Sequence, residues 1–308
     1  MQRLITPSAS TWSPVGALRW LLTRCPVAVL CWIAIAFSTH AAELAYPTEV
    51  ARWQEVTVPN PSDQAAFAVW LYSANYSPYE WRVLADRDGV HAQLATPSHG
   101  AVREAPAFIP AVGNFRGASE MAHVDDGWIV GFNRGEFGAA LYWFSPDGKR
   151  NYKISDHQIV SFFSLPDGLY AIEGLAHLGV SEGSIVRIDR ARPGSSWRAS
   201  TVAKLPSAPF TVSVRSNHDL LVTLSDSLVL VEDGHKVRTL LHDASLGEFY
   251  PKSSVLSKNE EKLYIGMRQF VGEFDIAAGK LRFLVPSSAF LNKLPADDER
   301  RIRHQYGG

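Results

Sequence analysis

A strand-like stretch of sequence recurs four times between about Val124 and Val285. Each copy has a polar turn, a short strand of aliphatic and aromatic residues, an irregular loop and a second strand. Apolar and polar residues alternate along these strands, which is the period of a half-buried β-strand. The first strands are spaced 41, 51 and 43 residues apart, counted between Trp128, Leu169, Leu220 and Leu263. The chain therefore repeats one antiparallel unit at a nearly constant period.

Glycine-containing turns mark the ends of these units. Asp147–Gly148 and Asp233–Gly234 follow the second strand of two copies, and Asp-Gly is a hairpin signal because glycine readily adopts positive φ. Repeats of roughly 40–45 residues are typical of four-stranded propeller blades. On these features, the stretch from about Trp81 to Val285 resembles β-propeller repeat proteins in general. The resemblance implies an all-β ring of four-stranded blades; no Trp-Asp dipeptide closes a repeat, so it does not extend to the WD type.

An earlier hairpin extends the pattern toward the N-terminus. Residues Trp81 to Thr96 are predicted to turn around Asp88 and Gly89 as the outer half of another blade, which brings the total to about five blades. Closure into a ring is favoured because radial repetition leaves only short, protected strand edges. A β-sandwich is the alternative architecture, since regular short strands also fit it. A sandwich does not explain why strand, loop, strand and turn recur in one order.

The segments on either side of the repeats are less regular. Two further strands are predicted at 55–59 and 65–73, where they either complete the first blade or close the ring. Sustained helical periodicity is not found after residue 41. Residues 295–308 combine Arg300, Arg301 and Arg303 with three neighbouring acids and are predicted to form a polar, partly disordered tail. The propeller domain is accordingly predicted to span 42–294.

The N-terminus has the pattern of an export signal. Residues 1–41 contain three arginines and no acid, and they lead into an apolar run from Cys25 to Phe37. Small residues at Thr39 and Ala41 fit a cleavage site near Ala41 or Ala42. The alternative is an uncleaved anchor, but the 13 apolar residues fall short of the roughly 20 that a spanning helix needs. We therefore predict a signal peptide over 1–41 and a periplasmic or secreted protein with no membrane span after cleavage.

Composition excludes several functional classes for the exported chain. Both cysteines lie inside the predicted signal, so the mature protein has no disulfide, thiolate metal site or cysteine nucleophile. Cleavage removes three of the 30 basic residues and none of the 31 acidic ones, which lowers the formal net charge from −1 to −4. A nucleic-acid partner is not expected, because binding one needs a basic patch.

No sequence motif for catalysis is present. The chain has no H-E-x-x-H, no P-loop and no dinucleotide fingerprint, and no cofactor is indicated. Residues 179–183 match the letters of G-x-S-x-G, but they lie between two predicted strands and not at the strand-to-helix elbow that this motif requires. Histidines next to aspartates, such as His218–Asp219, are more simply polar turns than metal ligands, so no metal site is predicted. Trp53 and Trp81 are less tied to the repeat strands than the other tryptophans, and as an exposed pair they could stack on a sugar or a peptide; core packing is the expectation for most of the tryptophans.

Charged residues recur at one place in every repeat, the loop between its two strands. In a closed ring these loops gather on one face, where Phe137, Tyr142 and Trp143 would add apolar contacts. A polar binding cup, simple solvation of the loops, and an internal arginine–carboxylate network all fit this pattern. The predicted ligand- or partner-binding residues are Arg134, Glu136, Glu173, His177, Asp226 and Arg268.

The function predicted on these grounds is that of an exported binding or interaction protein, whose partner is a small molecule or another exported protein. One alternative is a metal-dependent hydrolase or lactonase-like propeller enzyme, with ligands drawn from several blades. A second alternative is an inhibitor or immunity-type partner of another exported protein. Fold alone does not choose among them.

Overall fold

The computed structural model describes residues 45–95 and 118–307, so the predicted signal peptide at 1–41 lies outside the described residues. The two helices are α1 (Gln64–Asn75) and α2 (Ala296–Tyr306). Neither is long and apolar enough to cross a membrane, and the same holds for every helix in the described part of the chain. The strands are β1 (Gln54–Val56), β2 (Trp81–Ala85), β3 (Val90–Leu94), β4 (Ala118–Val124), β5 (Gly127–Asn133), β6 (Ala139–Phe144), β7 (Asn151–Ser155), β8 (Ile159–Leu165), β9 (Gly168–His177), β10 (Val180–Asp189), β11 (Arg198–Leu205), β12 (Pro209–Val214), β13 (Leu220–Leu224), β14 (Leu228–Glu232), β15 (Lys236–Leu241), β16 (Ser253–Leu256), β17 (Lys262–Gly266), β18 (Val271–Asp275) and β19 (Lys280–Val285).

Consecutive strands pair antiparallel into five sheets within the described residues. Sheet 1 contains β4–β7, sheet 2 β8–β11, sheet 3 β12–β15, sheet 4 β16–β19, and sheet 5 the hairpin β2–β3. The two strands predicted for each repeat form the central pair of sheets 1 to 4, which confirms the repeat. The predicted Asp-Gly turns are also confirmed, since Gly148 has φ +69° and Gly234 has φ +71°.

The first strands of the sheets lie next to one another in a cyclic order. β4 contacts β8, β8 contacts β12, β12 contacts β16, and β16 contacts β2. Glu120 on β4 lies within electrostatic reach of Arg82 on β2, which brings the first and last members of the series together. A sandwich would instead pack two sheets face to face. The chain is a β-propeller.

The N-terminal strand β1 pairs with the outermost strand of sheet 4. Its register places Gln54 opposite Val285 and Val56 opposite Phe283. The strand predicted at 55–59 is therefore present at 54–56, where it adds a fifth strand to the outer edge of sheet 4. The hairpin β2–β3 is present as predicted, but β2 contacts β16 and β17 as an inner strand, so its assignment to the outer half of a blade was wrong.

Trp53 and Trp81 lie in the core, so they do not form an exposed pair on which a ligand could stack. Trp81 is fully buried and Trp53 is 7% exposed, with the two rings edge to face at 4.7 Å. The Trp81 indole donates to the carbonyl of Gln269 at 3.0 Å. Burial follows because Trp81 begins an inner strand, where the neighbouring sheet covers it.

Helix α1 replaces the strand predicted at 65–73. Phe67, Trp70, Leu71 and Ala74 recur at the three- and four-residue spacing of one helical face, and this period was misread as a strand. The Asp63 carboxylate caps the helix by accepting from the amide of Ala66 at 3.0 Å.

Residues 296–306 form helix α2 rather than a partly disordered tail. The acids and arginines of this segment form ion pairs between residues one helical turn apart. Asp298 pairs with Arg301 at 2.8 Å, and Glu299 pairs with Arg303 at 2.8 Å. Ile302 is buried, and α2 packs against α1. Ile302 is the one aliphatic residue in the charged run 297–305, which was too weak a signal to find this helix.

Candidate functional site: the loop face

The predicted site residues lie on one end of the ring, which we call the loop face. In a four-stranded antiparallel sheet, the connection between the second and third strands leaves from the same end as the connection to the next sheet. The loop face therefore carries the loops β5–β6, β9–β10, β13–β14 and β17–β18, together with the segments that join successive sheets. Helix α1, which leads into β2, lies on this face as well, and its Trp70 stacks on Phe270 at 5.5 Å.

Arg268 and Asp226 are engaged inside the protein. The Arg268 guanidinium donates to the carbonyl of Asn75 at 2.6 Å, at the C-terminus of α1, and lies 4.4 Å above the ring of Tyr250. A cation at this end of a helix satisfies a carbonyl that has no partner in the helix. The Asp226 carboxylate accepts from Ser207 at 2.5 Å and from Ser227 at 2.9 Å. These two predicted residues fasten connections between sheets.

Glu173 joins two strands of sheet 2 near their loop-face end. It accepts hydrogen bonds from the hydroxyl of Ser184 and, at 3.3 Å, from the amide of Gln158. The Gln158 side chain in turn donates to Asn133, at the end of β5 in sheet 1, at 2.9 Å. Glu173 also lines a shallow cavity of about 290 Å³ with Glu182 and Lys204. Of the six predicted binding residues, Glu173 alone lines this cavity.

Glu136 and His177 form a direct contact between sheets 1 and 2. His177 Nε2 lies 2.5 Å from Glu136 Oε2, and both side chains are about two-fifths exposed. Glu136 belongs to the 3-10 turn Gly135–Phe137, whereas His177 ends strand β9. This pair joins the tips of two loops and is solvent-accessible. Arg134 immediately precedes the same turn, so three of the six predicted residues are grouped here.

The hairpin β9–β10 projects beyond its own sheet and is the longest in the propeller. Strand β8 pairs with β9 only as far as Glu173, and β11 pairs with β10 only from Gly183. The hairpin itself continues to the pair His177–Val180. At its base, a Cβ on Gly174 would lie 2.7 Å from Pro209 Cδ, so only glycine fits there. Ser181 on the projecting part also bonds Ser225 of sheet 3 at 2.8 Å. The projection, residues 175–182, is therefore a braced arm.

Large apolar side chains are displayed at the ends of the arm and of the neighbouring turn. Phe137 is 79% exposed, Leu178 88% and Val180 48%. Phe137 follows Glu136 and Leu178 follows His177, so these exposed apolar residues flank the two side chains that meet at 2.5 Å. We call Phe137, Leu178 and Val180 the apolar tip. Contiguous exposed apolar surface beside polar residues marks interaction sites.

Leu178 adopts a backbone conformation that leucine rarely takes. Its φ is +44° and that of Gly179 is +86°, which is the pattern of a hairpin turn that usually begins with Asn or Asp. A bulky residue at positive φ costs of order 1 kcal/mol or more. Neither packing nor turn chemistry accounts for leucine here. The sequence signal was available as an apolar residue preceding glycine in a predicted loop, and it was overlooked.

Perturbed carboxyl groups lie away from the apolar tip. Burial raises the pKa of Glu120 to about 7, and Arg82 opposes the rise. Burial also acts to raise the pKa of Glu273, but hydrogen bonds from Lys262, Tyr264 and Arg282 outweigh it and leave that pKa below its usual value. Over residues 45–95 and 118–307, no three His, Cys, Asp or Glu side chains gather closely enough to hold a metal ion.

Comparison with known proteins adds distant structural likeness only. Virginiamycin B lyase from Staphylococcus aureus aligns at 14% identity and a TM-score of 0.39, over 58% of this chain and 59% of the lyase. A gluconolactonase from Xanthomonas campestris aligns at 14% identity and a TM-score of 0.35, over 54% and 56%. A chain of the nidogen/laminin complex aligns at 12% identity and a TM-score of 0.37, over 70% and 93%.

No family model matches the sequence, and neither does any curated protein. The aligned region spans less than two thirds of the lyase and of the gluconolactonase. Similarity at this level transfers no activity and no residue role, and the propeller assignment rests on the strand pairing and the cyclic order of the sheets.

Proposed function

We propose that this protein is an exported binding protein that recognises a protein partner through the arm and the apolar tip. The observation that carries the proposal is Leu178, which is 88% exposed in a strained conformation at the end of a braced hairpin. Protein interfaces combine an apolar centre with a polar rim, and a few anchors supply most of the binding energy. The apolar tip serves as the centre, and Arg134, Glu136 and His177 form the rim.

The shape of the site favours a macromolecular partner over a small molecule. Small-molecule sites are concave and bury most of the ligand, whereas the arm projects from the propeller. A projecting apolar tip fits a groove on the partner. The inhibitor-type alternative is a special case of this proposal, in which the groove is the working cleft of another exported protein.

The proposal is tested by photo-crosslinking in the cells that make the protein. A benzoylphenylalanine replaces Leu178, and the matched control replaces Leu84, which is 51% exposed on β2 toward the opposite end of the ring. We expect one adduct of defined mass from position 178 and none from position 84. The same adduct should disappear when Phe137→Asp is added, because a charge at the apolar tip opposes burial.

Two results would contradict the proposal. One is an absence of adducts at position 178 in cells where the protein is abundant and folded. The other is an adduct that persists unchanged with Phe137→Asp. Export is tested separately by the mass of the protein recovered from the producing cells, which should correspond to a chain beginning near Ala41 or Ala42. A full-length chain retained in the cytoplasm would refute export without bearing on the apolar tip.

A further inference from the structure

A second concave site lies between the two helices, separate from the arm. The C-terminal half of α1 and one side of α2 enclose a cleft of about 720 Å³, with residues 292–295 between them. Tyr72 and Tyr76 form one wall. The opposite wall is a helical face on which Asp298, Arg301 and Gln305 follow at spacings of three and four. The volume lies within the range of small-molecule sites.

The cleft is held open by contacts between distant parts of the chain. The Asn292 side chain donates to the backbone carbonyl of Ser73 at 2.8 Å, and the backbone N–H of Asn292 donates to the side-chain oxygen of Gln269 at 2.7 Å. Across the helices, the hydroxyls of Tyr72 and Tyr306 lie 3.4 Å apart. Arg268 fixes the end of α1, as described above. The walls are thus positioned before any ligand arrives, which lowers the ordering cost of binding.

The aromatic wall offers a flat surface of the kind on which sugar rings stack. Tyr72 and Tyr76 lie within 17° of parallel with centroids 6.3 Å apart, and Tyr76 remains 67% exposed. The axial C–H groups of a pyranose make an apolar patch that packs on such a ring, while its hydroxyls need hydrogen-bonding partners. Gln305 and Asp298 on the facing wall have side chains that supply donors and acceptors.

The charge of the cleft indicates an acidic ligand. Lys293 and Arg301 line it with only one carboxylate, Asp298, which is bonded to Arg301 at 2.8 Å. Within the described residues Lys293 has no ion-pair partner, so its ammonium is available to a ligand carboxylate. A guanidinium keeps further N–H donors after one contact is made. We propose that this cleft binds an oligosaccharide containing uronic acid.

A peptide is the less favoured ligand. Peptides that bind in extended form pair their backbone with a free strand edge. The walls of this cleft are helices whose backbone groups are internally bonded, so recognition here depends on side chains. An acidic peptide would use Lys293 and leave the tyrosine wall without a matching surface.

Isothermal titration of the purified full chain tests the proposal with defined probes. The acidic probes are trigalacturonate, trimannuronate and a hyaluronan tetrasaccharide, with maltotriose as the neutral sugar and triglutamate as the acidic peptide. We expect at least one acidic sugar to bind with a dissociation constant below about 1 mM, and at least about tenfold more tightly than maltotriose or triglutamate.

Lys293→Gln and Tyr76→Ala should each weaken binding by about tenfold or more. Tyr76→Trp, which keeps a flat ring, should retain it, and the control Lys258→Gln, an exposed lysine between β16 and β17, should leave it unchanged.

Several results would overturn the assignment. Failure of all three acidic sugars to bind would do so, and so would equal binding of maltotriose or triglutamate. Binding that survives both Lys293→Gln and Tyr76→Ala would place the sugar elsewhere. Thermal melting of each variant shows whether weakened binding reflects lost folding. None of these outcomes depends on the apolar tip.

Discussion

Replacing Glu120 with glutamine should stabilise the protein at pH 8 and have little effect at pH 5. Glu120 lies on the inner strand β4, where burial raises its pKa from 4.5 to about 7. A carboxyl whose pKa is higher in the folded state binds its proton more tightly there, so folding favours the protonated form. The stability of the wild type should fall as pH rises from about 4.5 to about 7 and stay reduced above that.

The expected magnitude follows from the shift in pKa. The rise in the pKa of Glu120 from 4.5 to about 7 corresponds to about 3 kcal/mol of lost stability at pH 8, which is an upper limit because water reaches part of the side chain. At pH 5 the raised pKa of Glu120 destabilises the wild type by less than about 1 kcal/mol. Glutamine keeps the shape and removes the charge, although it also loses the attraction to Arg82. We therefore expect Glu120→Gln to gain about 2 kcal/mol at pH 8.

Urea unfolding at pH 5, 6, 7 and 8 measures this difference for wild type and variant. Glu261→Gln, at an exposed position between β16 and β17, is the matched control for removing one carboxylate at the surface. The slope of free energy against urea must agree between the proteins for the midpoints to be compared. A Glu120→Gln protein that is equally or less stable than wild type at pH 8 would refute the assignment of a desolvated carboxyl to this strand.

Four further substitutions test particular features of the fold and of the apolar tip. Gly148→Val and Gly234→Val should each cost about 1 kcal/mol or more because both positions have positive φ, and unchanged urea midpoints would contradict the turns. Leu178→Asn should raise the melting temperature by relieving a positive φ of +44°, yet abolish partner crosslinking from position 137; retained crosslinking would remove the case for the apolar tip. Glu273→Gln should cost about 1–3 kcal/mol at pH 7, and because the pKa of Glu273 is depressed, the difference should shrink as pH falls toward 3; urea unfolding at both pH values checks this.

Part of the candidate site was predictable because neighbours in sequence remain neighbours in a loop. The repeat placed Glu136 and His177 in equivalent loops of adjacent sheets, and the structure brings them to 2.5 Å. The same reasoning placed Asp226 and Arg268 on the same face. It could not distinguish an exposed loop from one that fastens a helix, because α1 was misread as a strand. Arg268 is engaged for that reason, through the carbonyl of Asn75.

The strands and turns of this propeller were determined locally by the sequence. Alternating apolar residues specify a strand over five or six positions, and Asp233–Gly234 specifies a turn through its own backbone preferences, so neither needs the rest of the chain. Tertiary structure alone decided the burial of Trp81, the raised pKa of Glu120 and the cleft beside Tyr76. Each of these depends on contacts between residues far apart in sequence, such as the 3.4 Å approach of Tyr72 and Tyr306. Desolvation and packing arise from the surroundings that the folded chain assembles, and a local pattern does not contain them.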